Sequence, residues 1–353
     1  MDKDLALKVI ETELSSSYIH EDVRNHYLKL KEIVNDPKPQ YDGMKILVFQ
    51  PISTGDIVVS SICAELFQIK YPGCVVDYCI EADVARDLLV GNPFTRDIIV
   101  TRNWDLVKKR DTLELGALAK EYDAVYSLYW WDAKPNMITS WLEDLQLPTD
   151  YTRVRIYTKY YHEETADEVL KNQKRPLIML QSDLGPKWDN QNKYNDLKTK
   201  LEKYGNVIES GGKHITYGVT ASMLRRCMLF IGAHGSLEHV AAAIGCQTIT
   251  LSTIYKPEHV MVPFYQNKYR KSNEQCQVVR PKNWCGDFNR CITYVPTSVH
   301  HKQPPYGYPY RFPPHMDKPC DYNGFKKTCV HEISVDEIIE VVDHTMEMRN
   351  EKA

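Results

Sequence analysis

Asp56 closes a tight polar turn, Ser53-Thr54-Gly55-Asp56, directly after the apolar run Ile46-Leu47-Val48-Phe49. A carboxylate at a helix entrance is favoured in its charged form by the helix dipole. In that form it can take a proton from an attacking hydroxyl. Aspartate is also an ordinary helix N-cap, and the turn alone leaves both roles open. Gly55 permits unusual backbone angles and close approach of a ligand. In the second half of the chain, His234-Gly235-Ser236-Leu237 separates the apolar run 228–231 from an alanine-rich stretch. Successive free backbone amides at such a helix start make an anion site, although small residues equally suit a close-packed turn without a ligand. His239 falls in the first turns of that helix, where a single histidine more often has a structural role. A base in one half and an anion cradle in the other point to group transfer across an interdomain cleft.

Other residues have weaker signals. Lys187, with Trp188, follows the apolar run 177–180, and a lysine there can neutralise a phosphate as a point charge. Gly211 and Gly212 follow another short run and would admit a nucleotide close to the backbone. Cys285-x5-Cys291 and Cys320-x8-Cys329 frame an irregular, proline- and tyrosine-rich stretch. Four thiolates can hold zinc or iron tetrahedrally, but this spacing is looser than a C-x2-C knuckle. Four reduced cysteines in a packed loop is the competing reading, and His300, His301 and His315 are substitute ligands.

These residues need a scaffold, and the pattern supplies one. Runs at 46–49, 74–80, 97–100 and 122–128 read as buried strands, with helices near 57–70 and 82–90. The alternation restarts at 176–180, with a helix at 195–204, a strand at 206–208, a helix at 221–227, and strands at 228–231 and 248–251. This is a doubly wound α/β pattern, repeated. Residues 1–40 form a helical extension ended by Asp36-Pro37-Lys38-Pro39. Residues 41–172 form a first Rossmann-like domain. Residues 173–333 form a second, including the cysteine-rich segment 276–330. Residues 334–353 form a final helix, opened by the Ser334-x-x-Glu337 capping box.

The chain has 353 residues, more than one hydrophobic core usually supports. A formal net charge of −3 gives no global drive toward nucleic acid or anionic membrane. No apolar run reaches membrane-spanning length, and the charged N-terminus lacks a signal-peptide pattern. A cytoplasmic protein is expected, its ten cysteines mostly reduced.

At these positions the chain resembles the ADP-heptose heptosyltransferase family of inverting glycosyltransferases. The resemblance rests on 45–57 with its Gly-Asp turn, Tyr71-Pro72-Gly73, residues 88–94, Lys187-Trp188, and residues 231–245. It implies a GT-B architecture, two Rossmann-like domains facing across a cleft. It further implies that Asp56 is the general base, with Ser53, Thr54 and Gly55 on the acceptor side. Lys187, Gly212, His234, Gly235, Ser236, Leu237 and His239 would hold the nucleotide-sugar donor, without a catalytic metal. The donor loop departs from the family pattern, because His234 stands where an aspartate is usual, which puts ADP-heptose itself in doubt. Some relatives, the protein O-heptosyltransferases, have a C-terminal cysteine finger; this supports structural zinc or iron on Cys285, Cys291, Cys320 and Cys329. The acceptor is left open among lipopolysaccharide, protein and a modified DNA base, and so is the transferred sugar among hexose, heptose and pentose. A homo-oligomer is compatible with the resemblance. The alternatives are a nucleotide-sugar epimerase on the same fold and a non-catalytic nucleotide-sugar-binding or assembly protein.

Overall fold

The computed structural model describes residues 3–15, 21–36, 41–50, 54–80, 83–101, 116, 118–128, 137–149, 154–182, 184, 191–211, 215–252, 276–282 and 332–350. The chain divides into two compact units, Met1–Tyr161 and His162–Ala353.

The first unit contains a parallel sheet of β1 (Lys45–Gln50), β2 (Val75–Ile80), β3 (Thr95–Val100) and β4 (Ala124–Ser127). Its order is β3-β2-β1-β4, so the chain runs outward from β1 and returns to its other side. Five successive residues of β1 are buried, as a strand covered on both faces requires. Helix α1 (Lys3–Leu14) pairs with α2 (Glu21–Asn35), and α3 (Thr54–Ser60), α4 (Ile62–Lys70), α5 (Arg86–Leu89) and α6 (Met137–Asp144) follow.

The N-terminal helices pack on this unit by their apolar face: Ile10, Tyr27, Leu30 and Val34 are buried. A polar contact fixes their position. His26 Nε2 lies 2.5 Å from Glu65 Oε1 of α4, and both side chains are nearly buried. Tyr157 donates to the other Glu65 oxygen at 3.3 Å. Burying a carboxylate is tolerable only with such partners.

The second unit is a five-stranded sheet of β5 (Leu177–Leu180), β6 (Asn206–Glu209), β7 (Leu229–Ala233), β8 (Gln247–Leu251) and β9 (Cys276–Val279), ordered β6-β5-β7-β8-β9 and parallel throughout. Its helices are α7 (Tyr160–Leu170, opening just before the unit), α8 (Gln191–Leu201), α9 (Tyr217–Arg225), α10 (Ser236–Ile244) and α11 (Val335–Asn350). Strand residues Ile178, Leu180, Ile231 and Ile249 share a buried cluster with Leu197 of α8 and Ile338 of α11. The C-terminal helix therefore completes this core. Its capping box forms: Glu337 N donates to Ser334 Oγ at 3.2 Å, and Ser334 N donates to Glu337 Oε2 at 2.7 Å.

Three elements escaped the sequence pattern. β9 lies in a stretch read as irregular, because four residues flanked by polar ones carry little periodicity. The helices α6 and α7 were also not anticipated. The first helix expected after β1 is divided in two, with Ser61 between α3 and α4. Among the described residues, no helix is long and apolar enough to cross a membrane.

Candidate functional site

Each unit presents one strand–turn–helix at the carboxyl edge of its sheet, beside the strand where the order reverses. Open α/β sheets place ligands at that point. In the first unit the turn follows β1, which lies between β2 and β4. Helix α3 starts at Thr54, so Asp56 lies inside its first turn rather than capping it. Asp56 is half-buried, whereas Gly55 and the next residues Ile57, Val58 and Val59 are buried and anchor the helix. Two side chains fix its far end: Tyr78 donates to Ser60 O at 2.7 Å, and Asn92 donates to Ser61 O at 3.2 Å. The aspartate thus stands on a rigid support at the sheet edge. Ser53 lies outside the described residues.

In the second unit the reversal falls between β5 and β7. Gln181, just past β5, accepts a hydrogen bond from Ala233 N through Oε1 at 2.9 Å, tying the ends of the two strands together. This link requires Gly232: a Cβ there would sit 2.4 Å from the same Gln181 oxygen. Ser210, past β6, accepts from Ser182 N at 3.0 Å. The loop then turns at Gly235, with φ 157 and ψ −164, a region occupied essentially only by glycine. Helix α10 begins at Ser236, and its N-cap residue is Gly235, which has no side chain to occupy the first amides. The amides of its first turn are therefore available to an anion. The structure brings His234, Gly235, Ser236, Leu237 and His239 together at this end of α10. Lys187 and Gly212 lie outside the described residues, as do Cys285, Cys291, Cys320 and Cys329.

The sequence reading passed over Glu238, which is completely buried in the first turn of α10. His234 Nδ1 lies 3.3 Å and His239 Nδ1 3.6 Å from Glu238 Oε2. Burial holds His239 down at about 4, with His234 lowering it further and Glu238 opposing both. The ring is thus a neutral imidazole near neutral pH. The available signal was the spacing His-x3-Glu-His across a strand–helix junction, which is weak without knowledge of burial.

Among the described residues, Cys63, Cys74, Cys79, Cys227 and Cys276 are free thiols. Burial pushes Cys63, Cys79 and Cys276 up to about 12, so these are inert packing groups.

No protein-family model and no curated protein matches this sequence. Solved structures do match. A glycosyl transferase family 9 protein from Veillonella parvula superposes with a TM-score of 0.59 at 14% identity, over 87% of this chain and 98% of that one. The ADP-heptose LPS heptosyltransferase II of E. coli gives 0.58 at 14% identity, over 87% and 100%. The iron-containing dodecameric glycosyltransferase TibC of enterotoxigenic E. coli gives 0.53 at 16% identity, over 88% and 81%. The fold is that of these GT-B glycosyltransferases. The two parallel sheets thus match the framework of those enzymes, as the resemblance implied.

Proposed function

We propose that the protein is an inverting glycosyltransferase that moves a sugar from a nucleotide-sugar donor to an acceptor hydroxyl. The observation that carries this reading is the pair of edge turns on a glycosyltransferase fold. One turn leads to a half-buried carboxylate on a braced helix; the other leads to a helix N-terminus whose cap residue is a glycine. Fold similarity alone does not fix chemistry, so the weight rests on these two groups.

In this mechanism the second unit binds the donor diphosphate at the amides of α10, and the first unit holds the acceptor. Asp56 takes the proton of the acceptor hydroxyl as its oxygen attacks the anomeric carbon. The new glycosidic bond forms as the bond from that carbon to the diphosphate oxygen breaks. A single displacement inverts the centre. The leaving diphosphate gains negative charge, which the amides of Ser236 and Leu237 and the Lys187 ammonium would offset. A related TibC structure contains ADP-D-β-D-heptose, which supports an ADP-sugar as the first donor to try. His234 in the donor loop makes the sugar itself the open variable. Structural iron or zinc on the four C-terminal cysteines and assembly into a homo-oligomer belong to the same proposal. Both draw support from the description of TibC as iron-containing and dodecameric.

The test is a mass-spectrometric screen of nucleotide-sugars for binding, hydrolysis and transfer, with wild type and Asp56→Asn in parallel. The proposal expects one donor to bind both proteins and to be consumed by the wild type alone. Donor turnover that survives Asp56→Asn unchanged removes the aspartate from the mechanism. An isomerised nucleotide-sugar formed without acceptor identifies an epimerase instead.

A further inference from the structure

We propose that His234, Glu238 and His239 form a binding site for a divalent transition-metal ion of the zinc or iron(II) class, at the base of the turn that opens α10. Glu238 is the central residue of this cluster. Its side chain is fully buried, yet neither carboxylate oxygen has a hydrogen-bond partner among the described residues. Buried polar groups are almost always satisfied, and buried charges are paired or bound to metals. Two imidazole nitrogens face the carboxylate, His234 Nδ1 at 3.3 Å and His239 Nδ1 at 3.6 Å. His239 Nδ1, itself buried, also has no hydrogen-bond partner among the described residues. Three donor atoms thus converge, all within 4.8 Å of one another.

The spacing fits an ion between them. Donors held about 2.0–2.1 Å from a tetrahedral centre stand about 3.3–3.4 Å apart. The two nitrogen-to-oxygen separations here are 3.3 and 3.6 Å. The rings of His234 and His239 lie 5.4 Å apart at 78°, so each presents its edge from a different side. Two imidazole nitrogens and one carboxylate oxygen select zinc, iron(II), cobalt or nickel over magnesium or calcium, which prefer all-oxygen donor sets. Three protein ligands leave at least one position for water or an anion, as in open zinc sites. His234 is the most exposed of the three at 16%, so the open position lies on its side. The site does not depend on sugar transfer, and its test reads metal directly.

Full-length protein is stripped with EDTA and titrated with Co²⁺, followed by its d–d absorption. Thiolate-to-cobalt charge transfer reports separately on any cysteine site, so the two cannot be confused. The expected result is one equivalent of Co²⁺ with nitrogen–oxygen character, displaced by Zn²⁺ and untouched by Mg²⁺. Glu238→Gln should weaken this component about tenfold or more, at least the loss typical of outer-shell changes. Should that variant fail to fold by circular dichroism, His234→Ala at the more exposed ligand reads the same loss. A wild type with no thiolate-free cobalt signal overturns the proposal. So does a folded ligand variant that retains full affinity.

Discussion

Strands β1 and β7 are each followed by a helix with a carboxylate in its first turn, and the two carboxylates are treated oppositely. Asp56 sits half-buried in the first turn of a short helix, at the carboxyl edge of its sheet. Glu238 sits in the first turn of the corresponding helix of the second unit, with no exposure at all. The helix dipole favours both charges, so it does not distinguish them. Access does. A carboxylate in contact with solvent can exchange a proton with a substrate. A sealed one can do so only with its neighbours, and here those neighbours are two imidazoles.

The sharpest way to break this comparison is to neutralise the accessible acid. Asp56→Asn should lower transfer about 10²–10⁴-fold while donor affinity stays within a factor of two or so, the range for loss of a general base. Equal loss of binding and turnover would show that Asp56 shapes the site rather than moving a proton. Neutralising the sealed acid should act on a different quantity. In EDTA, Glu238→Gln should melt at or above the wild-type temperature, because it replaces a buried carboxyl group that has no hydrogen-bond partner among the described residues. Saturating Zn²⁺ should reverse that order.

Smaller effects probe the supports. Gly232→Ala would drive a methyl group into Gln181 Oε1 and free Ala233 N. It should lower stability by about 1–3 kcal/mol in urea unfolding, with the loss confined to the transition of the second unit. The weakest expected effect is at Glu337. Its carboxyl is held below the ordinary value of 4.5, chiefly by the hydrogen bond from Ser334 N. A depressed folded value means that the stabilisation is complete above about pH 4.5 and lost as pH falls through the folded value. Glu337→Gln keeps an acceptor for the capping box but removes its charge, so at pH 7 it should lower the melting temperature by only a small amount, equivalent to about 0.3–0.5 kcal/mol after solvent screening. That difference should vanish well below pH 4, and its persistence there would mean that the capping box is not the source.

Much of the framework was legible because its signals are local. The runs 46–49 and 177–180 are apolar on both faces, which marks a buried parallel strand wherever it lies. Ser334 and Glu337 announced a helix start from their spacing alone, and the hydrogen bonds between them form. Gly55-Asp56 and His234-Gly235-Ser236 stood out as small, polar interruptions between apolar runs. The strand Cys276–Val279 did not stand out, since it owes its existence to the neighbouring edge of β8 rather than to its own pattern. The helix at Tyr160–Leu170 was hidden similarly, with just three of its residues buried.

By itself, then, the sequence determined the two repeats of strand and helix, the positions of their edge turns, and the residue types available there. The tertiary structure alone decided which strand lies at each reversal of order, and which carboxylate meets water. Glu238 reads in sequence as one more exposed acid on a helix. It is buried because α10 lies against β7 and β8, and burial depends on contacts between residues far apart in the chain. That dependence is why a proton acceptor could be suspected from a local motif, whereas a ligand set for a metal became visible only in three dimensions.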